Sequence, residues 1–250
     1  MIDLNDKTAI ITGGASGIGA DMAALFEKYG ISMSRWDVNF PENESAKGNI
    51  HCDVTNPDSV QKALDETIKQ KGKPHYLVNC AGIIYGEKLV SDKGPASLTS
   101  FEKLISVNLT GCFNVMRLVA GQMIKNTPYS EDGERGVIIN MASIAAFEGQ
   151  IGQIPYAASK GGIVAMTLPA ARELAQSGIR VNAIAPGVVD TPMMSQVPEK
   201  LRENLSSSTP FPKRFAKPDE IAELAIDIIR NPMMNGEVIR LDGAMRMPPK

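Results

Sequence analysis

A single α/β domain, with a doubly wound parallel sheet and helices on both faces, is expected from three features of the sequence. Short apolar segments alternate with helical patterns along all 250 residues. The strand-like segments are apolar throughout, which is typical of parallel strands covered on both faces. A glycine-rich turn at residues 12–19 joins the first strand directly to the first helix, as in doubly wound sheets. A chain of this length can bury a substantial core, so we expect one domain over residues 1–250.

The predicted elements follow from the spacing of apolar residues. Strands are predicted at residues 7–12, 75–80, 136–141, 179–184 and 237–241, and helices at residues 18–29, 58–70, 100–125, 156–175 and 218–229. Residues 32–37 are polar for a central strand, so their position alone assigns them to the second strand. Pro169 is expected to kink its helix because proline removes a backbone hydrogen bond. The long connection at about 188–217 contains several prolines and is predicted to form a substrate lid.

Composition and charge argue against several classes of protein. The formal net charge of −2 makes nucleic acid or an anionic membrane an unexpected partner. No apolar stretch approaches the ~18–20 residues of a membrane span, and the polar N-terminus shows no signal peptide. Cys52, Cys80 and Cys112 form no C-x-x-C motif, and their odd number favours a reducing compartment, so we expect the cytoplasm. The only histidines, His51 and His75, have no paired spacing, so no metal site is expected.

A tyrosine, a lysine and a serine in the middle of the chain form the first candidate site. Tyr156 and Lys160 are four residues apart in a predicted helix, so their side chains project from the same face. A phenol is a poor base near neutral pH, but a fixed ammonium group beside it favours the phenolate form. Ser143 adds a hydroxyl donor for a carbonyl or alkoxide oxygen. These side chains suit proton transfer coupled to hydride transfer, although a Tyr-x-x-x-Lys pair alone is more often an ordinary helix surface.

The glycine turn and an acidic residue after the second strand predict a dinucleotide site. Gly13, Gly17 and Gly19 let the backbone approach a pyrophosphate, and the following helix presents free N–H groups at its N-terminus. The spacing differs from G-x-G-x-x-G, so the interpretation depends on the position of the turn between strand and helix. Asp37 lies about 20 residues further on, where a carboxylate accepts hydrogen bonds from ribose hydroxyls and repels a 2′-phosphate. The predicted cofactor is therefore NAD, although Arg35 is also placed to bind a phosphate.

Taken in order, these motifs resemble the short-chain dehydrogenase/reductase family, which has a Rossmann fold. The resemblance covers nearly the whole chain and rests on Thr12-Gly13-x-x-x-Gly17-Ile18-Gly19, Asp53-Val54, Asn79-Cys80-Ala81-Gly82, Asn108-Leu109-Thr110-Gly111, Ser143, Tyr156-x-x-x-Lys160 and Pro186-Gly187. Residues 135–140, 145–150 and 235–244 are most similar to its type-2 3-hydroxyacyl-CoA dehydrogenase branch, also called type-10 17β-hydroxysteroid dehydrogenase. Residues 83–100 are dissimilar to that branch, which bears on the substrate and not on the chemistry.

The resemblance implies a role for each matched residue. Tyr156 is the catalytic acid and base, Ser143 binds the substrate oxygen, and Lys160 activates the tyrosine and holds the nicotinamide ribose. Asn108 positions a water molecule that links the lysine to solvent, and an asparagine there also kinks its helix. The other implied cofactor contacts lie at the pyrophosphate (Gly13, Ser16, Gly17, Ile18, Gly19), at the adenine (Asp53, Val54), after the fourth strand (Asn79, Cys80, Ala81, Gly82) and at the nicotinamide (Pro186, Gly187, Val189, Thr191).

The predicted function is NAD-dependent interconversion of a secondary alcohol and a ketone, with an acyl-CoA thioester of fatty acid metabolism as substrate. The expected pair is a 3-hydroxyacyl-CoA and its 3-oxoacyl-CoA, and the family implies a homotetramer. Gln150 and Gln153 are placed to bind a thioester or acyl oxygen, although solvated loop glutamines fit the sequence as well. Three alternatives stay open: another alcohol or hydroxysteroid dehydrogenase, a 3-oxoacyl-carrier-protein reductase, and a non-catalytic NAD-binding scaffold subunit.

Overall fold

Seven parallel strands form one open sheet at the centre of the molecule. The computed structural model describes residues 3–40, 48–191, 194, 202 and 205–249. The strands of these residues are β1 (Thr8–Thr12), β2 (Ser32–Asp37), β3 (Asn49–His51), β4 (Tyr76–Asn79), β5 (Val90–Ser91), β6 (Gly94–Pro95), β7 (Gly136–Met141), β8 (Ile179–Pro186) and β9 (Val238–Leu241). The central sheet has the order β3-β2-β1-β4-β7-β8-β9, and every pairing in it is parallel. The strand order reverses between β1 and β4, so the predicted doubly wound sheet is confirmed.

Helices cover both faces of this sheet. They are α1 (Gly17–Lys28), α2 (Pro57–Lys71), α3 (Leu98–Ile105), α4 (Gly111–Met123), α5 (Ala145–Glu148), α6 (Ile154–Ala175) and α7 (Pro218–Arg230). Helices α1 and α7 pack on one face, where Ile11 of β1 joins their core cluster. Helices α2, α4 and α6 pack on the other face, where the neighbouring residue Ile10 joins theirs. Because side chains alternate between two buried faces, both sets of positions along a strand are apolar.

The polar sequence of β2 is explained by a hydrogen-bonded cluster inside the core. Ser34 Oγ and Thr67 Oγ1 of α2 lie 2.7 Å apart. The indole Nε1 of Trp36 donates to both hydroxyls, at 3.1 Å to Ser34 and 3.0 Å to Thr67. All three side chains are fully buried. A buried polar group is tolerated when it has such partners, so the assignment of residues 32–37 by position is confirmed and its polarity has a structural reason.

The helix predicted at residues 100–125 is divided by a π-helical turn at Ser106–Thr110, between α3 and α4. The combined run, Leu98–Met123, is 26 residues long and apolar enough to cross a membrane by length and composition. The expectation that no stretch approaches this limit is therefore wrong. Half of its most apolar window is buried inside the protein, where Val115, Val119 and Met123 pack in the core beneath α2 and α6. Packing in the core accounts for this composition.

Strand β3, the hairpin of β5 and β6, and helix α5 are not predicted by the sequence pattern. Strands β5 and β6 form an antiparallel hairpin within the segment 83–100, with Val90 opposite Pro95. Helix α5 is four residues long, which is too short to show a helical period. Much of the predicted lid lies outside the described residues, namely positions 192–193, 195–201 and 203–204. The described ends of the lid meet, because Val189 forms a parallel bridge with Ala216.

Candidate active site

A cavity of about 630 Å³ opens at the carboxyl ends of the central strands. Every predicted cofactor and substrate residue except Asn79 lines it, and so do the predicted catalytic residues Ser143, Tyr156 and Lys160. Open α/β sheets bind ligands at this edge, where the strand order reverses. The glycine turn after β1 and the Ser-Tyr-Lys group around β7 and α6 are distant in sequence but share this one cavity.

The glycine turn packs too tightly for side chains. Gly13 has φ +67°, and a Cβ there would lie 2.8 Å from the backbone nitrogen of Ala81, which follows β4. A Cβ on Gly19 would collide with the carbonyl oxygen of Gly13. Gly14, which is not among the predicted site residues, is equally restricted, because its Cβ would lie 2.8 Å from Cβ of Arg35. The turn therefore lies directly against β2 and β4.

The N-terminus of α1 faces the cavity without a side-chain cap. The N-cap residue Ser16 makes no side-chain capping hydrogen bond, and the first turn of α1 contains no acidic residue. Ser16, Gly17 and Ile18 line the cavity. The uncapped N–H groups and the positive end of the helix dipole provide a site suited to a phosphate.

Asp37 is held at the edge of the same cavity by two backbone groups. The backbone N–H of Ala15 donates to its Oδ2 at 3.1 Å, and that of Asn39 donates to its Oδ1 at 3.2 Å. Asp37 lines the cavity, whereas Arg35 is not among its lining residues. The Nε of Arg35 instead donates to Oδ1 of Asn49 on β3 at 2.8 Å. The structure therefore presents the carboxylate, not the guanidinium, to a ligand in the cavity.

The loops after β3 and β4 complete this half of the cavity. Asp53 Oδ1 accepts hydrogen bonds from the backbone and the hydroxyl of Thr55, at 2.9 and 2.7 Å, which fixes the loop beside Val54. Burial raises the pKa of the Cys80 thiol to about 12, so it stays neutral and packs as a small residue. Asn79 lies inside the sheet and donates to Asn140 Oδ1 at 2.9 Å. Its side chain is thus directed to a neighbouring strand and not to the cavity.

Tyr156 and Lys160 lie on the first two turns of α6. The Nζ of Lys160 is 5.7 Å from the centroid of the Tyr156 ring and donates to the carbonyl of Met141, at the end of β7, at 2.7 Å. Lys160 is buried, and Ser143 and Tyr156 are partly exposed to the cavity. The backbone N–H of Ala145 donates to Ser143 Oγ at 3.1 Å, which orients the hydroxyl. A phenol, an ammonium group and a hydroxyl are therefore collected on one side of the cavity.

Asn108 is buried in the π-helical turn and does not line the cavity. Its Oδ1 accepts from the backbone N–H of Ile83 at 2.8 Å, and its Nδ2 donates to the Ile83 carbonyl at 2.9 Å and to Ser159 Oγ at 3.2 Å. The side chain therefore holds the segment after β4 against α6. Gly82 lies between Asn108 and Lys160. A Cβ added to Gly82 would be 3.3 Å from Asn108 Oδ1 and 3.8 Å from Lys160 Nζ. Its implied role through a bound water stays a prediction.

Gln150 and Gln153 line the cavity between Ser143 and Tyr156, and each makes hydrogen bonds within the protein. The backbone N–H of Gln150 donates to Gln153 Oε1 at 3.0 Å, and Gln150 Nε2 donates to the Pro248 carbonyl at 3.1 Å. Met247, beside Pro248, also lines the cavity. Sequence reasoning does not identify Met247, because nothing in the local sequence links the C-terminus to a site around 100 residues earlier.

The segment after β8 borders the cavity from the other side. Pro186, Gly187 and Val189 line it, and the backbone N–H of Gly187 donates to the Leu241 carbonyl at 3.0 Å. Thr191 lies beside the glycine turn, since a Cβ on Gly17 would be 3.7 Å from its methyl group. Thr191 also lines the cavity, and its predicted contact with the nicotinamide end of the cofactor stays a prediction.

Comparisons with known proteins agree with this geometry. Residues 7–202 match the family model described as short chain dehydrogenase. A human protein named 3-hydroxyacyl-CoA dehydrogenase type-2 is 49% identical over 96% of this chain and 95% of its own length. The 3-oxoacyl-[acyl-carrier-protein] reductase FabG of Thermotoga maritima is 35% identical over 97% of this chain and 98% of its own.

A solved structure shows the same likeness. The crystal structure of 3-hydroxyacyl-CoA dehydrogenase type-2 from Mycobacterium avium superposes with a TM-score of 0.91 at 39% identity, covering 98% of each chain. The family match covers well over half of the 250 residues and includes the glycine turn, Ser143, Tyr156 and Lys160. The chain therefore belongs to the short-chain dehydrogenase family and is an oxidoreductase that acts on CH–OH groups with a nicotinamide cofactor.

Proposed function

We propose that this protein is an NAD-dependent dehydrogenase that interconverts a 3-hydroxyacyl-CoA and the corresponding 3-oxoacyl-CoA. The observation that carries the proposal is the shared cavity, which joins the glycine turn and Asp37 to Ser143, Tyr156 and Lys160. Relatives named 3-hydroxyacyl-CoA dehydrogenase type-2, from rat, human, cattle, mouse and fruit fly, support the acyl-CoA substrate with 44–49% identity across nearly the whole chain.

The residues around the glycine turn fit a dinucleotide. Gly13 and Gly19 keep the backbone bare where a pyrophosphate would bind, and the N-terminus of α1 would offer it N–H groups. Asp37 would accept hydrogen bonds from the adenosine ribose hydroxyls, and its charge would repel the 2′-phosphate of NADP. Asp53 and Val54 would border the adenine. Asp37 is therefore the main support for NAD over NADP.

In the proposed oxidation, Tyr156 takes the proton from the substrate hydroxyl as the carbon–hydrogen bond is broken. A bound nicotinamide supplies the hydride acceptor. Ser143 donates a hydrogen bond to the substrate oxygen and stabilises the charge that develops there. The ammonium group of Lys160, held in place by the Met141 carbonyl, stabilises the phenolate form of Tyr156 electrostatically. In the reduction, Tyr156 returns the proton to the ketone oxygen.

The walls near Ser143 fit the polar and apolar parts of an acyl thioester. Gln150 and Gln153 line the same cavity as Ser143 and Tyr156 and would bind the thioester oxygen. Ile84, Leu205 and Met194 add apolar surface to the same cavity. Flexible side chains such as methionine suit acyl chains of different length.

A substrate panel tests the proposal. Purified protein is assayed with acetoacetyl-CoA, longer 3-oxoacyl-CoAs, the matching acyl-carrier-protein thioesters, simple ketones and steroid ketones, each with NADH and NADPH. We expect the highest kcat/KM with a CoA thioester and NADH. Faster turnover of the carrier-protein thioesters with NADPH would instead support the reductase function that the Thermotoga maritima relative suggests. Binding of NADH without turnover of any carbonyl would identify a scaffold subunit.

We also infer a homotetramer located in the cytoplasm. The free thiols of Cys52, Cys80 and Cys112 are compatible with a reducing compartment. Large apolar side chains are exposed on two helical segments, which we propose as subunit interfaces: Leu98, Phe113 and Ile124 near α3 and α4, and Ile154 and Leu168 on α6. Light scattering should give four times the 26.9 kDa mass of one chain. Phe113→Glu should reduce that mass, and a fluorescent fusion reports the compartment.

A further inference from the structure

The C-terminal tail, defined here as residues 244–249, lies against the loop 149–153 that connects α5 to α6. The backbone N–H of Ile151 donates to the Pro249 carbonyl at 3.0 Å. The side chain of Gln150 donates to the Pro248 carbonyl at 3.1 Å. Met247 precedes these two prolines and lines the cavity together with Gln150 and Gln153. The tail therefore contributes to the wall of the cavity that Ser143 and Tyr156 also line.

A tight turn after β9 sets the direction of this tail. Gly243 and Ala244 have φ +58° and +65°, and Ala244 is one of two non-glycine residues with positive φ among the described residues. Asp242 holds the turn, because its Oδ1 accepts from the Ala244 N–H at 3.0 Å and its carbonyl accepts from the Met245 N–H at 3.0 Å. Met245 is completely buried. The chain is thus anchored two residues before Met247.

A cluster of ion pairs joins this turn to α5. The guanidinium of Arg240 donates to both carboxylate oxygens of Glu148 at 2.8 and 3.0 Å, to Asp242 Oδ2 at 2.8 Å and to the Met245 carbonyl at 3.0 Å. Arg246 also approaches Glu148 and Asp242, at 3.3 Å each. The hydrogen bond from Arg240 holds the pKa of Glu148 below its usual range, so its carboxylate stays charged. Bidentate Arg–carboxylate pairs fix geometry as well as charge.

We propose that Met247 determines which acyl groups the enzyme accepts, and that Arg240 is a positioning residue that holds Met247 in the cavity wall. Arg240 connects the end of α5, shortly after Ser143, to both sides of the turn that leads to Met247. The flexible thioether side chain lines the cavity together with Gln150 and makes no hydrogen bond to Ser143, Tyr156 or Lys160, so we expect its substitution to leave these three residues unchanged. The inference rests on the proposed carbonyl reduction but not on the cofactor preference.

Variants of Met247 test the specificity role. The ratio of kcat/KM for a ten-carbon and a four-carbon 3-oxoacyl-CoA is measured for the wild type, Met247→Ala and Met247→Phe. One methylene group in an apolar pocket changes specificity about tenfold or more, so we expect the alanine variant to raise this ratio by roughly that factor. The phenylalanine variant should lower it, and KM for NADH should stay constant in both. Equal ratios in all three proteins would overturn the proposal.

The control is Met233→Ala, because Met233 is 88% exposed and is not among the cavity-lining residues. If the wild type reduces free ketones but no CoA thioesters, the proposed function fails and the same ratio is taken for a ketone series of increasing length. The wild type therefore tests the proposed activity toward CoA thioesters, whereas the variants test the specificity role of Met247.

Arg240→Met tests the positioning role. We expect the chain-length ratio to move in the same direction as in Met247→Ala, with KM for the substrate rising more than kcat falls. Hydrogen–deuterium exchange at Ile151 should become several-fold faster, a readout that needs no turnover. Arg240→Lys should be intermediate, since lysine keeps the charge but cannot form the bidentate pair. Unchanged exchange and an unchanged ratio would exclude the positioning role.

Two further variants serve as controls for the Arg240 substitutions. Arg214→Met removes an arginine whose ion pair with Glu220 lies on the surface, so it controls for the loss of an exposed arginine. A chain truncated after Met247 removes the Pro248 and Pro249 acceptors while it keeps the whole ion-pair cluster. If Arg240→Met does not fold, Arg240→Lys carries the test, because it loses the bidentate pair and keeps the Pro248 and Pro249 acceptors. Faster exchange at Ile151 and an altered ratio in Arg240→Lys support the proposal, and wild-type values overturn it.

Discussion

The phenol of Tyr156, to which we assign the proton transfer, lies on the cavity, and the buried ammonium group of Lys160 is 5.7 Å from the centroid of its ring. Tyr156→Phe removes the hydroxyl and keeps the ring. General acid–base catalysis contributes about 10²–10⁴-fold to a rate, so we expect kcat to fall by roughly that factor. The dissociation constant for NADH should change less than about twofold, because glycine-turn and Asp37 contacts remain.

Steady-state kinetics and NADH fluorescence titration measure the two effects separately. Tyr29→Phe is a matched control, because the Tyr29 hydroxyl lies on the surface and bonds to Glu223 at 3.1 Å. A residual rate within tenfold of the wild type would show that another group transfers the proton.

A second residue-scale prediction concerns Asp37. Asp37→Ser removes the carboxylate that would repel a 2′-phosphate and leaves a small hydroxyl in its place. The ratio of kcat/KM for NADH to that for NADPH should fall at least about tenfold, since one interaction worth ~1.4 kcal/mol changes an equilibrium by that factor. Asp21→Ser, on the exposed side of α1, is the control. A wild-type preference for NADPH would contradict the role given to Asp37.

At the scale of the elements, one buried arginine binds the carbonyl groups at the C-terminal end of α7. The guanidinium of Arg180, on β8, donates to the carbonyls of Ile228, Ile229, Asn231 and Met234 at the C-terminal end of α7, at 2.7–3.1 Å. It also forms an ion pair with Glu134, and both side chains are more than nine-tenths buried. Arg180→Met leaves the Glu134 carboxylate buried without its partner. We expect the free energy of unfolding to fall by about 3–5 kcal/mol.

Urea unfolding measures this loss, and a double mutant identifies its cause. Glu134→Leu combined with Arg180→Met removes both charges, so it should recover at least about 1 kcal/mol relative to Arg180→Met alone. If the loss of stability in the double mutant, relative to the wild type, equals the sum of the losses in the two single mutants, the two side chains act independently and the explanation through an unpaired charge is wrong.

The sequence pattern predicts some elements of this fold and not others. Largely apolar runs identify β1, β4, β7 and β8, because a parallel strand with both faces buried carries mostly apolar residues. The partners of Ser34 and Trp36 lie on α2, about 30 residues away, so the polarity of β2 has no local explanation. The π-helical turn at Asn108 also has no local signal in the sequence, and the hydrogen bonds that Asn108 makes there join it to Ile83, which is 25 residues away.

For the whole molecule, His75 predicts how stability depends on pH. Burial, with a smaller contribution from Lys7, lowers the pKa of His75 from 6.5 to about 4. The unfolded chain therefore binds more protons than the folded chain between these values, so the free energy of unfolding falls as the pH is lowered from about 6.5 to about 4. The half-buried position reduces this contribution to roughly 1–2 kcal/mol.

His75→Asn should remove that contribution. The asparagine oxygen can still accept the hydrogen bond that the Thr8 N–H donates to His75 Nδ1 at 3.2 Å. Stability curves from pH 4 to 7, recorded by urea unfolding, should be flatter for the variant than for the wild type. His51→Asn controls for the loss of an imidazole, because His51 is exposed on β3. Parallel curves for wild type and His75→Asn would disprove the linkage.

For the whole molecule, the type of reaction could be predicted from local sequence motifs. The cavity that brings these motifs together could not. The glycine turn, Asp37, Ser143, Tyr156 and Lys160 are recognisable because each needs one residue type at a fixed spacing for its chemistry. Their meeting in one cavity, the burial of Asn79 in the sheet and the contribution of Met247 depend on contacts between distant segments. Spacing along a chain encodes local geometry, whereas the order of strands and the path of the C-terminal tail follow from packing of the complete core.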